Sequence, residues 1–160
     1  MSKNHSYNVK VEWTGNKGTG TSSYRAYERS HSILVEGKPK ILGSSDPAFR
    51  GDKTKHNPED MLVASLSACH MLFYLHLCAD AGITVMDYVD NAFGTMEETP
   101  EGGGRFAEVI LRPTVKITDE SRIEEANKLH HKANQLCFIA NSCNFPIRHE
   151  PTCEVAGKDQ

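Results

Sequence analysis

The chain has 160 residues, a formal net charge of -3 and 38% hydrophobic residues, which predicts one compact domain spanning residues 1–160. A charge so close to neutral gives no electrostatic reason to expect a nucleic acid or an anionic membrane as a partner. Residues 1–8 lack the apolar core of a signal peptide, so we expect a cytoplasmic protein.

Five cysteines lie between residues 69 and 153, at Cys69, Cys78, Cys137, Cys143 and Cys153. Their spacing contains no CxxC pair and does not match a zinc-finger pattern, so we expect no structural metal and no cofactor. Structural disulfides are rare in a reducing compartment, where catalytic or redox-sensing use of cysteine is more common.

The first third of the sequence is rich in strand and turn signals. Residues 6–13 alternate polar and apolar side chains, and residues 23–29 and 32–36 read as two further strands. The glycine-rich turn at 14–21 lacks the spacing of a phosphate-binding loop. Residues 42–56 then form a polar loop that carries Arg50.

Residues 57–82 carry complete start and stop signals for a helix. Asn57 is a favoured N-cap, Pro58 suits the first helical position, and Gly82 provides the stop. Residues 62–79 are apolar on nearly every face, which predicts a buried central helix covered in part by a partner subunit. Its length touches the lower limit for a membrane span, but two serines and two histidines inside it favour a protein interior.

In the remainder, a β-rich region begins at 83–85, and the sequence predicts paired strands over 89–97 and 105–117, an amphipathic helix over 118–136 and a last strand over 147–155. The element order gives an α+β fold with a largely antiparallel sheet. On the two predicted helices, we expect His70 and His76 to be satisfied core residues and His130 and His131 to face solvent in part. We expect three of the cysteines to be structural: Cys78, Cys137 and Cys153.

Three motifs together resemble the OsmC/Ohr family of osmotically inducible and organic-hydroperoxide-resistance proteins. They are Asn57-Pro58-Glu59-Asp60-Met61-Leu62, Leu66-Ser67-Ala68-Cys69-His70 and Asn141-Ser142-Cys143-Asn144. The resemblance implies an intertwined homodimer in which a sheet wraps around packed central helices. It also implies thiol-dependent reduction of organic, and in part hydrogen, peroxides, with an external dithiol such as a lipoylated protein as reductant.

The resemblance also implies roles for individual residues. Cys69 matches the peroxidatic cysteine and Cys143 the resolving cysteine, while Glu59 matches a glutamate that pairs with an arginine beside the reactive thiol. Arg50 is our first choice for that arginine and Arg25 the second. Ohr proteins carry an arginine in the first glycine-rich turn, where this chain has Lys17.

This chemistry needs a thiolate, and a guanidinium next to the sulfur favours one because free cysteine has a pKa of about 8.5. Glu59 and Cys69 are ten residues apart, which corresponds to ~15 Å along a straight helix. Either a long arginine bridges that gap, or Glu59 serves the Cys69 of the partner. We favour a site built from both chains.

Two other functions fit the same residues. A non-enzymatic protein could bind small molecules in an apolar dimer cleft, with incidental thiols; in that case Cys69 is an ordinary helical cysteine and Glu59 only a helix-start carboxylate. A redox sensor would form the disulfide without turnover. Catalytic turnover separates the enzyme from both alternatives.

Overall fold

The computed structural model describes residues 2–157. The chain divides into two compact units, one up to Leu62 and one from Val63 onward. The chain forms both helices and strands, which confirms the predicted mixture of helix and sheet. The prediction of a single domain over 1–160 remains a prediction.

The first unit contains a three-stranded antiparallel sheet of β1 (Lys10–Trp13), β2 (His31–Leu34) and β3 (Ile41–Gly43). The predicted strand at 23–29 is wrong, because those residues form turns around the side chain of Arg29. Its guanidinium donates to the carbonyl oxygens of Tyr24 and Tyr27, both at 2.6 Å, and lies over both tyrosine rings. A short 3-10 helix, Pro47–Phe49, interrupts the predicted polar loop.

Helix α1 (Pro58–Asp80) begins and ends as its sequence predicts. The Asp60 amide donates to the Asn57 side-chain oxygen at 2.7 Å, which satisfies one of the free donors of the first turn. At the other end Gly82 has φ 68, and the amides of Gly82 and Ile83 donate to the carbonyls of Ala79 and Cys78 at 3.1 and 2.8 Å. This pair of bonds is the Schellman motif, which requires the left-handed residue that glycine supplies.

One face of α1 is buried and the opposite face is exposed. Every fourth side chain is buried: Leu66, His70, Tyr74 and Cys78. The C-terminal half of this stripe, Tyr74 and Cys78, packs in one cluster with Val115, Ile117, Ala126 and Ala133. On the other side Leu72 is 63% exposed, so one chain alone does not bury the helix all round as predicted. By length and composition alone α1 could cross a membrane, a test that core helices of soluble proteins also pass.

The second unit contains two three-stranded sheets. The first, in the order β4-β7-β9, consists of β4 (Val85–Asp90), β7 (Pro113–Ile117) and β9 (Thr152–Val155). The second, in the order β5-β6-β8, consists of β5 (Phe93–Glu98), β6 (Gly104–Leu111) and β8 (Ile147–His149). The pairs β4–β7 and β5–β6 are antiparallel, whereas β6–β8 and β7–β9 are parallel.

The strands predicted at 105–117 and 147–155 are each divided in two. The breaks fall just before Pro113 and around Pro151, two residues that have no amide hydrogen for a sheet ladder. The amide of Arg112 donates instead to a carboxylate oxygen of Asp90 at 2.7 Å. Each predicted strand therefore passes from one sheet to the other, which joins the two sheets twice.

Helix α2 (Ile123–Leu136) follows a short 3-10 turn, Glu120–Arg122, that is capped by Asp119. Its buried stripe contains Ala126, His130 and Ala133, and Cys137 continues the stripe just past the helix end. His130 is 0% exposed, so the prediction that it faces solvent is wrong. The spacing of this stripe places His130 on the same face as the alanines that contact the core.

Candidate thiol site

Cys69 in α1 and Cys137 at the end of α2 lie close enough for their thiols to interact. Cys69 lies in the middle of α1 and is half-buried, whereas Cys137 is buried. The five cysteines are reduced. Two thiols in contact, one of them open to solvent, are the arrangement that a disulfide-forming pair requires.

The buried thiol of the pair is difficult to ionise. Burial, together with the neighbouring thiol of Cys69, raises the pKa of Cys137 to about 11. Cys137 therefore keeps its proton at neutral pH. The thiolate is the form of a cysteine that reacts with electrophiles, so the buried Cys137 is the less suitable of the two as the attacking group.

Cys143, the sequence-predicted partner, lies at the end of a short 3-10 helix, Ala140–Ser142. Its thiol donates to the carbonyl of Ile139 at 3.3 Å, and burial raises its pKa. Its role as the partner of Cys69 stays a prediction. Sequence reasoning assigned Cys137 a structural role. Its position seven residues after His130 places it on the buried stripe of α2.

Aromatic side chains lie next to the thiol pair. Phe73, one turn after Cys69, meets Phe138, which directly follows Cys137, in an edge-to-face contact at 5.1 Å between ring centroids. Phe138 is 70% exposed. Both rings are therefore close to a cysteine in the sequence, and the exposed ring of Phe138 offers an apolar surface.

Glu59 lies in the first turn of α1 and is partly buried. Among the described residues, no group forms a hydrogen bond with its buried oxygen Oε2. A buried carboxylate oxygen without a partner costs free energy, which a cation or donor from outside the chain could recover.

The two predicted arginines are exposed, and both lie in the first unit. Arg25 is in the turn that surrounds Arg29. Arg50 has φ 62, the left-handed conformation that few non-glycine residues adopt, and it ends the 3-10 helix Pro47–Phe49. Together with Arg29, Arg50 lines a polar cavity of about 270 Å³, whose other walls include Ser44 and Asp52. Arg29 is the cation that sequence reasoning did not consider.

Three histidines, which we call the histidine cluster, lie between α1, α2 and β8: His70, His130 and His149. Nε2 of His70 and Nδ1 of His130 form a hydrogen bond of 3.0 Å. Burial lowers the pKa of His70 to about 4, and burial with the neighbouring His70 lowers that of His130 to about 3. All the rings of the cluster lie within 6.4 Å of one another.

The predicted role of His70 as a satisfied core residue holds for one ring nitrogen. In the part of the chain that the structure covers, its Nδ1 has no hydrogen-bond partner. His76 is exposed and lies 3.3 Å from Asp80, so it is a surface residue and the prediction for it is wrong. Within residues 2–157 no three histidine, cysteine or carboxylate side chains are arranged to hold a metal ion.

Comparison with protein families gives a match to a family described as OsmC-like protein over residues 51–152. Among solved structures, an OsmC-like protein of unknown function from Vibrio cholerae O1 biovar eltor str. N16961 is 31% identical to this chain, with a TM-score of 0.82. The alignment covers 94% of this chain and 99% of that one.

Two further solved structures carry names that mention an activity. An organic hydroperoxide resistance protein from Elizabethkingia anophelis is 21% identical, with a TM-score of 0.69 over 98% of this chain and 100% of that one. An organic hydroperoxide resistance protein from Legionella pneumophila is 19% identical, with a TM-score of 0.69 over 96% and 100%. At these identities the likeness shows the fold alone. Comparison with curated protein sequences gives no match.

Proposed function

The chain belongs to the OsmC-like protein family, and from that premise we propose that it is a thiol-dependent peroxidase acting on organic hydroperoxides. The observation that carries the proposal is the proximity of the thiols of Cys69 and Cys137. Family membership suggests hydroperoxide-related redox chemistry, and the thiol pair supplies a means to perform it within one chain.

The reaction has three balanced steps. The Cys69 thiolate attacks the outer peroxide oxygen, the O–O bond breaks, and the alkoxide takes up a proton to leave as an alcohol. Cys69 is then a sulfenic acid; attack by the Cys137 sulfur forms the disulfide and releases water. An external dithiol donates two electrons and two protons, which restores both thiols and leaves that dithiol as a disulfide.

Cys137 is our choice for the resolving thiol because it lies beside Cys69, whereas the thiol of Cys143 donates to the Ile139 carbonyl. The raised pKa of Cys137 keeps its thiolate fraction low, so we expect the step that closes the disulfide to be slower than the attack of Cys69 on the peroxide.

We also propose that the working form is a homodimer. The exposed side of α1 is apolar where a surface helix is normally polar, and Leu72 on that side is 63% exposed. Glu59 Oε2 is buried and has no partner in residues 2–157. An arginine of the second chain, Arg50 or Arg25 by the family resemblance, would pair with it and orient the peroxide beside a Cys69.

The test follows the consumption of cumene hydroperoxide and of hydrogen peroxide with dihydrolipoamide as reductant. We expect turnover with the wild type and none with Cys69→Ser. Cys137→Ser should give a single burst of one peroxide per chain without dithiol recycling through a disulfide. Cys143→Ser should behave as the wild type, with Cys153→Ser as the matched control for loss of a half-buried thiol.

Peptide mapping after one equivalent of peroxide identifies the disulfide. A Cys69–Cys137 link supports the proposed pair, and a Cys69–Cys143 link restores the sequence prediction. Loss of turnover in Cys143→Ser together with full turnover in Cys137→Ser would contradict our assignment. Absence of turnover and of fast Cys69 oxidation in the wild type would refute the peroxidase.

A binding protein is the second candidate, and one cavity favours it. The cavity measures about 430 Å³, within the range of small-molecule sites, and is lined by Leu75, Ala79, Gly82, Ile83, Thr84 and Val85. If the wild type fails the peroxide assay, the next measurement would be the binding of an apolar fluorescent probe to this cavity. A disulfide that forms without turnover would favour the redox sensor instead.

A further inference from the structure

A hydrogen bond between the side chains of His70 in α1 and His130 in α2 links the two helices. Both imidazoles are buried, with 1% and 0% of their surfaces exposed. The ring of Tyr74 stacks on His130 at 3.8 Å between centroids, so the link lies inside a packed layer. A directional bond therefore joins α1, which carries Cys69, to α2, which ends one residue before Cys137.

The histidine pair costs free energy because some of its buried ring nitrogens have no hydrogen-bond partner in the described residues. Nδ1 of His70, Nε2 of His130 and Nδ1 of His149 are buried, and no described residue forms a hydrogen bond with them. Neutral imidazole has one N–H, so if either histidine donates to the other, one buried N–H and one buried lone pair remain unpaired. Two leucines would fill similar space without that cost.

Directional polar contacts inside a core fix one register, which apolar contacts do not. His70 follows Cys69 directly, and His130 precedes Cys137 by seven residues, or ~10.5 Å along α2. At that distance from the histidine pair, a rotation of α2 by about 10° around the pair moves Cys137 by about 1.8 Å. A disulfide needs its two Cβ atoms about 3.5–4.5 Å apart, so such a rotation decides whether the bond can close.

We propose that His70 and His130 are positioning residues that hold Cys137 within disulfide distance of Cys69. The proposal deepens the proposed function, because it rests on Cys69 and Cys137 as the reacting pair. The histidines touch neither the peroxide nor the sulfurs in this account. They act through the angle between α1 and α2.

The test measures the equilibrium of the thiol pair with glutathione, in which two protein thiols and one oxidised glutathione give the protein disulfide and two reduced glutathione. No peroxide is involved. The key variant carries both His70→Leu and His130→Leu, which removes the bond and all its unpaired nitrogens. His131→Leu, the same change at the exposed neighbour, is the matched control.

We expect the double leucine variant to lower the equilibrium constant for the disulfide about tenfold, the factor that one net hydrogen bond provides. Its midpoint of urea unfolding in the reduced state should equal or exceed that of the wild type. The variant with His70→Gln and His130→Asn keeps a donor and an acceptor at similar positions, and should restore the constant to within about threefold.

Three outcomes would overturn the proposal. These are an unchanged equilibrium constant in the double leucine variant, a fall that His131→Leu reproduces, and a fall that accompanies an equal loss of folding stability. Peroxide consumption, assayed separately, distinguishes failure of the proposed peroxidase function from failure of the positioning role. A wild type that consumes no peroxide but shows the leucine effect refutes the peroxidase alone, whereas normal consumption without the leucine effect refutes the positioning role alone.

Discussion

The histidine cluster makes the stability of this protein fall as the pH drops below about 6.5. His70 and His130 have a pKa of about 4 and about 3 in the folded chain, against 6.5 for an ordinary histidine. The unfolded chain therefore binds more protons below pH 6.5, and the folded form loses stability as the pH falls. His149 acts in the same direction, because burial lowers its pKa as well.

The size of the effect follows from the two values. Between pH 8 and pH 5 each buried histidine lowers the free energy of unfolding by about 2 kcal/mol, or about 4 kcal/mol for the pair. For a chain of this length that corresponds to a fall of roughly 10 °C in the melting temperature. The carboxylates that form ion pairs, such as Glu124 and Glu125, have lowered pKa values and stay ionised over this window.

The assay is thermal unfolding followed by circular dichroism at pH 8 and pH 5, with the cysteines reduced and one protein concentration throughout. The double variant with His70→Leu and His130→Leu should keep only the part of the pH effect that His149 and other groups supply. His76→Gln, at an exposed histidine, should keep all of it. Equal melting temperatures of the wild type at both pH values would refute the reasoning, as would an undiminished fall in the double leucine variant.

Three other predictions concern the fold and the proposed dimer. Gly82→Ala should lower the free energy of unfolding in urea by about 1 kcal/mol, because its φ is 68, whereas Gly103→Ala should change it little. Arg29→Lys should cost about 1–2 kcal/mol, measured the same way, since lysine cannot bond two carbonyls while lying over two rings; an unchanged value would contradict the role assigned to the guanidinium. Leu72→Glu should convert a dimer to a monomer in sedimentation velocity, with Lys132→Glu as control, and a persisting dimer would exclude this face of α1.

Local signals in the sequence were sufficient for the helices. The N-cap at Asn57 and the stop at Gly82 bracket α1, because capping depends on residues a few positions apart. The strands were located less well. Residues 23–29 alternate like a strand, yet they wrap around the guanidinium of Arg29, a contact that pattern alone does not express.

The motif around Cys69 determined the family and named the reactive thiol as a candidate, since a short run of residues suffices for both. Its partner is a matter of tertiary structure. Cys137 and Cys143 are only six residues apart, and the local sequence does not show which of them meets Cys69. The packing of α2 against α1 places the Cys137 sulfur beside that of Cys69. In the same way, the sequence contains eight histidines and does not show which of them are buried. The fold brings three of them together in its interior, because burial depends on contacts between residues distant in the chain.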